Sequence, residues 1–129
     1  MKIRTGIDII EVERIHQSVA NSGPHFTERI YTKSEIEYCS SAANKYERFA
    51  ARFAAKEAFA KALGTGFTGL CLSDFYVAKD ERGKPYFVFG DKTKKILDNS
   101  LANNYNIQLS LSHENEFAVA FVIIEKGDN

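Results

Sequence analysis

The chain has 129 residues, a length that fits one domain (residues 1–129) with a real but modest core. Hydrophobic residues make up 44% and charged residues 26% of it, an ordinary balance for a soluble globular protein. The formal net charge is zero, which argues against nucleic-acid binding driven by global positive charge.

Residues 2–10 alternate, with Ile3, Thr5, Ile7 and Ile9 on one face and Lys2, Arg4, Gly6 and Asp8 on the other, so the chain opens on a strand. Val12, Ile15 and Val19 then follow helical spacing over about residues 11–20, and Asn21-Ser-Gly-Pro24 ends that helix. Thr32-x-x-Glu35 reads as a capping box that opens a second short helix through Tyr38. A long helix follows over about residues 44–63, stopped by Gly64.

Beyond Gly66 the pattern changes. Residues 72–79 read as a strand, 80–85 as a turn and 86–89 as the returning strand. Residues 92–103 are expected to be helical, with Ile96, Leu97 and Leu101 toward the core. Ile107, Leu109 and Leu111 alternate with polar residues up to His113, and a tight connection leads into 117–125. That last strand is apolar on both faces, which predicts a central strand covered on both sides. The fold class is α+β, with a largely antiparallel sheet packed against one long helix and shorter helices.

Cys39 and Cys71 lie far apart without metal-ligand spacing. One disulfide could join them, but two reduced thiols in a cytoplasmic protein are the simpler expectation. No signal peptide precedes the first strand, and no apolar run is long enough to span a membrane.

The long helix carries the unusual chemistry. Ala50, Ala54, Glu57 and Lys61 fall in one narrow sector of its wall at about 100° per residue. The alanines let another surface come close, so a carboxylate and an ammonium project into a tight space, where charges are costly unless paired or met by a ligand or metal. Taken alone, Glu57 and Lys61 could be an exposed i,i+4 pair. Lys45, Arg48, Arg52 and Lys56 are spaced as a basic stripe suited to phosphate or an acidic partner, although a solvated helix face is the simpler reading.

Asp8 could sit exposed at a sheet edge or cap the helix that follows. Paired with Glu57, it becomes a two-carboxylate set suited to a small hard cation such as Mg²⁺, which fills its shell with water and substrate phosphate. Lys61 could then neutralise charge on a phosphoryl group. His113 ends a strand without a recognisable nucleophile beside it, and Gly83-Lys84-Pro85 is by default a hairpin turn. Gly64-Thr-Gly66 is too short for a phosphate-binding P-loop, and no G-x-x-x-x-G-K-[ST] occurs.

Taken together, four ordered motifs resemble those of the holo-[acyl-carrier-protein] synthases, the small bacterial-type 4′-phosphopantetheinyl transferases. They are Gly6-Ile7-Asp8-Ile9 with Arg14 downstream; Phe53-x-x-Lys56-Glu57-Ala58-x-x-Lys61-Ala62-Leu63-Gly64-Thr65-Gly66; Gly83-Lys84-Pro85; and Ser110-x-Ser112-His113. The resemblance covers essentially the whole chain. Arg4-Thr5 departs from the smaller, glycine-richer approach expected before Gly6.

The resemblance implies a Mg²⁺-dependent transfer of 4′-phosphopantetheine from coenzyme A to a serine of apo acyl carrier protein, in support of fatty acid biosynthesis, with release of adenosine 3′,5′-bisphosphate. It implies that Asp8 and Glu57 bind the metal, that one of them, directly or through water, helps deprotonate the serine, and that Lys61 stabilises the leaving phosphate. Gly83, Lys84, Pro85 and His113 would contact coenzyme A around its 3′-phosphate end, and Arg14 would meet acidic residues of the carrier. The family likeness further implies a homotrimer with each active site shared between neighbours. The geometry expected of the long helix places Lys56 about 100° from Glu57, so it should serve the basic stripe or the fold.

Overall fold

The computed structural model describes residues 2–128. Strand β1 (Lys2–Glu11) leads into α1 (Val12–Ser22), α2 (Pro24–Ile30), α3 (Lys33–Ser40) and the long α4 (Lys45–Leu63). A hairpin of β2 (Phe75–Lys79) and β3 (Pro85–Phe89) follows, then α5 (Asp91–Leu101), β4 (Tyr105–His113) and β5 (Phe117–Lys126). The α+β class holds, with the strands divided between a three-stranded sheet of order β1-β5-β4 and the separate β2-β3 pair, every pairing antiparallel.

Two local differences have simple causes. Residues 72–74 form a 3-10 turn and the strand begins at Phe75. The segment after Pro24 forms α2, seven residues that are too short to show helical periodicity. The Thr32–Glu35 capping box is present in full, with Glu35 N donating to Thr32 Oγ1 and Thr32 N to Glu35 Oε1.

Helix α4 lies across the inner face of the three-stranded sheet, packed chiefly on β1 and β5. Small residues on both partners make this close approach. Ala54, Ala58 and Ala62 on the helix are buried, as are Ala118 and Ala120 on β5. Gly6 sits where an added Cβ would run into the Ala58 carbonyl oxygen and come within 2.8 Å of Ala62 N. The alanine sector of α4 therefore serves this chain's own sheet: Ala50 and Ala54 are 0% exposed, leaving no room there for a second subunit. Arg4, the departure noted before Gly6, donates through Nη1 to the Leu63 carbonyl and ties β1 to the end of α4.

The sheet's other face is open. Strand β5 is central, as expected, but it is covered on one side only: Ala118, Ala120, Val122 and Ile124 are buried, while Phe117 and Phe121 are 41% and 37% exposed. Beside them on β1, Ile3, Ile7 and Ile9 are 63%, 59% and 62% exposed. Ile7 pairs in register with Phe121 and Ile9 with Val119, so these side chains form one continuous apolar surface.

The basic stripe on α4 is not a solvated face. Arg52 is 4% and Lys56 0% exposed. Arg48 and Arg52 stack their guanidinium groups on Tyr38, at 4.5 and 4.4 Å from the ring centre. Both cysteines are free thiols, and burial pushes Cys39 up to about 12, which makes it inert. Among the described residues no helix is long and apolar enough to cross a membrane.

Candidate active site

The close packing of β1 on α4 brings Asp8 and Glu57 to the walls of one cavity of about 250 Å³. Asp8 is on the sheet's inner face. It does not cap α1, whose N-cap is Glu11 with no side-chain cap bond. Lys61, one turn below Glu57, reaches across to β1. Its Nζ donates to the Ile7 carbonyl at 3.0 Å and lies 3.4 Å from Asp8 Oδ1, so the helical i,i+4 arrangement with Glu57 is not its main engagement. Arg14 of α1 lines the same cavity, and Ile15, Phe26 and Phe53 form its apolar wall.

Burial and mutual repulsion shape the electrostatics of this cavity. Burial raises the Asp8 carboxyl above its ordinary range, against the pull of Lys61 and Arg14. Burial raises Glu57 as well, the nearby Asp8 charge adds to it, and Lys61 opposes both. Two carboxylates thus share a half-buried pocket with the cations of Lys61 and Arg14, and burial is the main cause of both shifts. Two oxygen donors of this kind fit a hard ion such as Mg²⁺, which takes one or two protein carboxylates and completes its shell elsewhere.

Gly83, Lys84, Pro85 and His113 stand apart from this cavity. His113 Nδ1 lies 2.9 Å from Glu47 Oε1 in the first turn of α4. Ten helical residues separate Glu47 from Glu57, a rise of about 15 Å. Gly83-Lys84-Pro85 closes the β2–β3 hairpin. Gly83 there takes φ +81°, and Asp80 Oδ1 accepts from Arg82 N and Lys84 N. One chain thus joins Asp8, Glu57, Lys61 and Arg14 but not the hairpin or His113.

Two features were hidden in the sequence. Phe26 belongs to the seven-residue α2, so nothing placed it beside Phe53, whose ring centre lies 6.5 Å away. Arg52 lines a second cavity of about 290 Å³ with Tyr38, Tyr76 and Lys79, and its buried Nε has no hydrogen-bond partner. A buried N–H without a partner is costly, and an acceptor oxygen would satisfy it.

The model of the 4′-phosphopantetheinyl transferase superfamily matches residues 4–122. The chain belongs to that superfamily. Among phosphopantetheinyl transferase relatives, the holo-[acyl-carrier-protein] synthase of Koribacter versatilis is 48% identical over 126 residues, covering 97% of this chain and 99% of that protein. The synthase of Halothermothrix orenii is 46% identical over 122 residues, covering 95% and 96%. Among solved structures, the Neisseria meningitidis synthase superposes with a TM-score of 0.87 at 36% identity, covering 95% of this chain and 98% of that one. The Helicobacter pylori synthase in complex with coenzyme A gives 0.81 at 32% identity, covering 94% and 99%.

Proposed function

We propose that this chain is a holo-[acyl-carrier-protein] synthase. It transfers the 4′-phosphopantetheine group of coenzyme A to a serine hydroxyl of apo acyl carrier protein and releases adenosine 3′,5′-bisphosphate, a step that supports fatty acid biosynthesis. The observation that carries this reading is the single pocket that unites Asp8, Glu57 and Lys61 in a chain with synthase relatives matching nearly its full length.

Asp8 and Glu57 would hold Mg²⁺, which when bound neutralises charge on the pyrophosphate of coenzyme A. The serine oxygen forms a new bond to the pantetheine-side phosphorus while the pyrophosphate P–O bond breaks, and the electron pair leaves on the bisphosphate. Glu57, directly or through a water, takes the serine proton. Lys61 sits beside the pair and offsets charge on the leaving phosphate. Arg14, exposed on α1 at the cavity rim, offers a cation to the acidic carrier protein.

A homotrimer with shared active sites suits this reading. The apolar outer face of the sheet needs a cover, and roughly 1.5–3 kcal/mol accompanies full burial of each large aliphatic side chain. A neighbour docked there can bring its own Gly83-Lys84-Pro85 hairpin and His113 toward the Asp8–Glu57 pocket, which one chain cannot do. Arg52, whose Nε has no hydrogen-bond partner, adds a cation on the hairpin side of α4 for the anionic end of coenzyme A. Two free thiols suit a cytoplasmic setting.

A phosphohydrolase built on the same three residues is separated by one experiment. Coenzyme A and Mg²⁺ are incubated with the chain, with and without apo acyl carrier protein. The transferase releases adenosine 3′,5′-bisphosphate only when the carrier is present; release without it would overturn the assignment.

A further inference from the structure

Lys56 and Glu35 form an ion pair of 2.7 Å, with side chains 0% and 1% exposed, that takes no part in the chemistry above. Lys56 Nζ also donates to the carbonyl oxygens of Ile30 (2.7 Å), Leu72 (2.7 Å) and Phe75 (2.8 Å). An ammonium has three protons, so four acceptors surround it and leave it no freedom to swing. Glu35 is equally engaged, accepting from Thr32 N at 2.9 Å and Val77 N at 3.1 Å. This one node fastens α4 to the end of α2, the start of α3, the 3-10 turn at 72–74 and strand β2.

The node sits one residue before Glu57. The Glu57 carboxylate accepts no hydrogen bond from any described residue, so its place is set by the helix backbone rather than by side-chain partners. From β2 the node continues directly into the hairpin that carries Gly83-Lys84-Pro85. Buried ion pairs by themselves are often replaceable by apolar residues without loss of stability, but this one also satisfies backbone groups of Ile30, Thr32, Leu72, Phe75 and Val77. What an apolar pair lacks is a fixed direction.

We infer that the Glu35–Lys56 pair is a positioning device: it fixes the height and rotation of α4 at Glu57 and couples that residue to the β2–β3 hairpin. This rests on the reading of Glu57 as a metal ligand. The test uses Glu35→Gln and the double variant Lys56→Met/Glu35→Gln, which removes both charges together. Each is checked for folding by near-UV circular dichroism and assayed below its melting temperature. Mn²⁺ affinity is read by electron paramagnetic resonance, and KM for coenzyme A is measured beside kcat. The folded variants should lose at least tenfold in Mn²⁺ affinity and show a raised KM. Unchanged Mn²⁺ affinity and KM in a folded variant would overturn the inference, leaving the pair a support of the fold alone.

A measurement on the unsubstituted chain needs no variant. Because coupling is reciprocal, saturating Mn²⁺ alone should slow hydrogen exchange at the Val77 amide, which donates to Glu35. Unchanged Val77 exchange under Mn²⁺ saturation would also overturn the inference. Failure of the unsubstituted chain to bind Mn²⁺ at all would instead overturn the metal reading, and this inference with it.

Discussion

Lys61 reaches from α4 to β1, donating to the Ile7 carbonyl at 3.0 Å and lying 3.4 Å from Asp8 Oδ1, so the pocket's ammonium is anchored to the strand that carries one carboxylate. The contact opposes the rise that burial imposes on Asp8. Lys61→Met should therefore lower turnover by roughly a hundredfold or more. It should also push Asp8 further up, moving the acidic limb of the rate–pH profile to higher pH. Turnover measured across pH checks both effects; an acid limb that stays in place would contradict the proposed contact.

Glu57 predicts an opposition between stability and activity. Its folded pKa is raised by burial and by Asp8, so the folded chain binds more protons than the unfolded chain as this group titrates. The metal-free chain consequently loses stability as pH rises through the raised value. Glu57→Gln removes the half-buried charge and should slightly raise the melting temperature of metal-free protein at neutral pH, while transfer activity collapses. Differential scanning calorimetry in EDTA is the check.

Gly6 is required by the approach of β1 to α4, not by backbone conformation. Gly6→Ala would drive a methyl group into the Ala58 carbonyl. The strand and helix must separate, at a cost of about 3 kcal/mol or more, and Asp8 moves with the strand. Urea denaturation measures the loss; a near-neutral effect would contradict the packing described.

The open apolar face predicts assembly. Ile7→Glu places a charge opposite Phe121 at its centre. If the proposed trimer forms through this face, the variant should sediment as a monomer, with loss of transfer activity and a retained circular dichroism spectrum. A trimer that survives this substitution would place the interface elsewhere.

Much of this was legible in the chain because local rules set it. The capping box at Thr32, the stop at Gly64 and the alternation in residues 2–10 and 107–113 depend on neighbouring residues alone. The Asp8–Glu57–Lys61 grouping was legible through motif order. What a linear pattern does not encode is which face of an element meets which partner. The isoleucine face of β1 points outward and the glycine face inward, because α4 can sit close only against Gly6. The same limit concealed the burial of Arg52 and left Lys56 open between the stripe and the fold, of which the structure shows the fold. Their spacing matches a solvated stripe, but α3 and β2, folded in from either side of α4 in sequence, bury them. The distance between His113 and Glu57 also reflects tertiary packing, since His113 is held at the first turn of α4.

The most direct measurement is the intact mass of an apo acyl carrier protein after incubation with coenzyme A, Mg²⁺ and this chain, with EDTA and with Glu57→Gln in parallel. The account predicts a shift by one phosphopantetheine group with the unsubstituted chain and Mg²⁺, and an unmodified carrier in both other arms. Full modification of the carrier in EDTA or by Glu57→Gln would contradict a metal pocket built on Asp8 and Glu57.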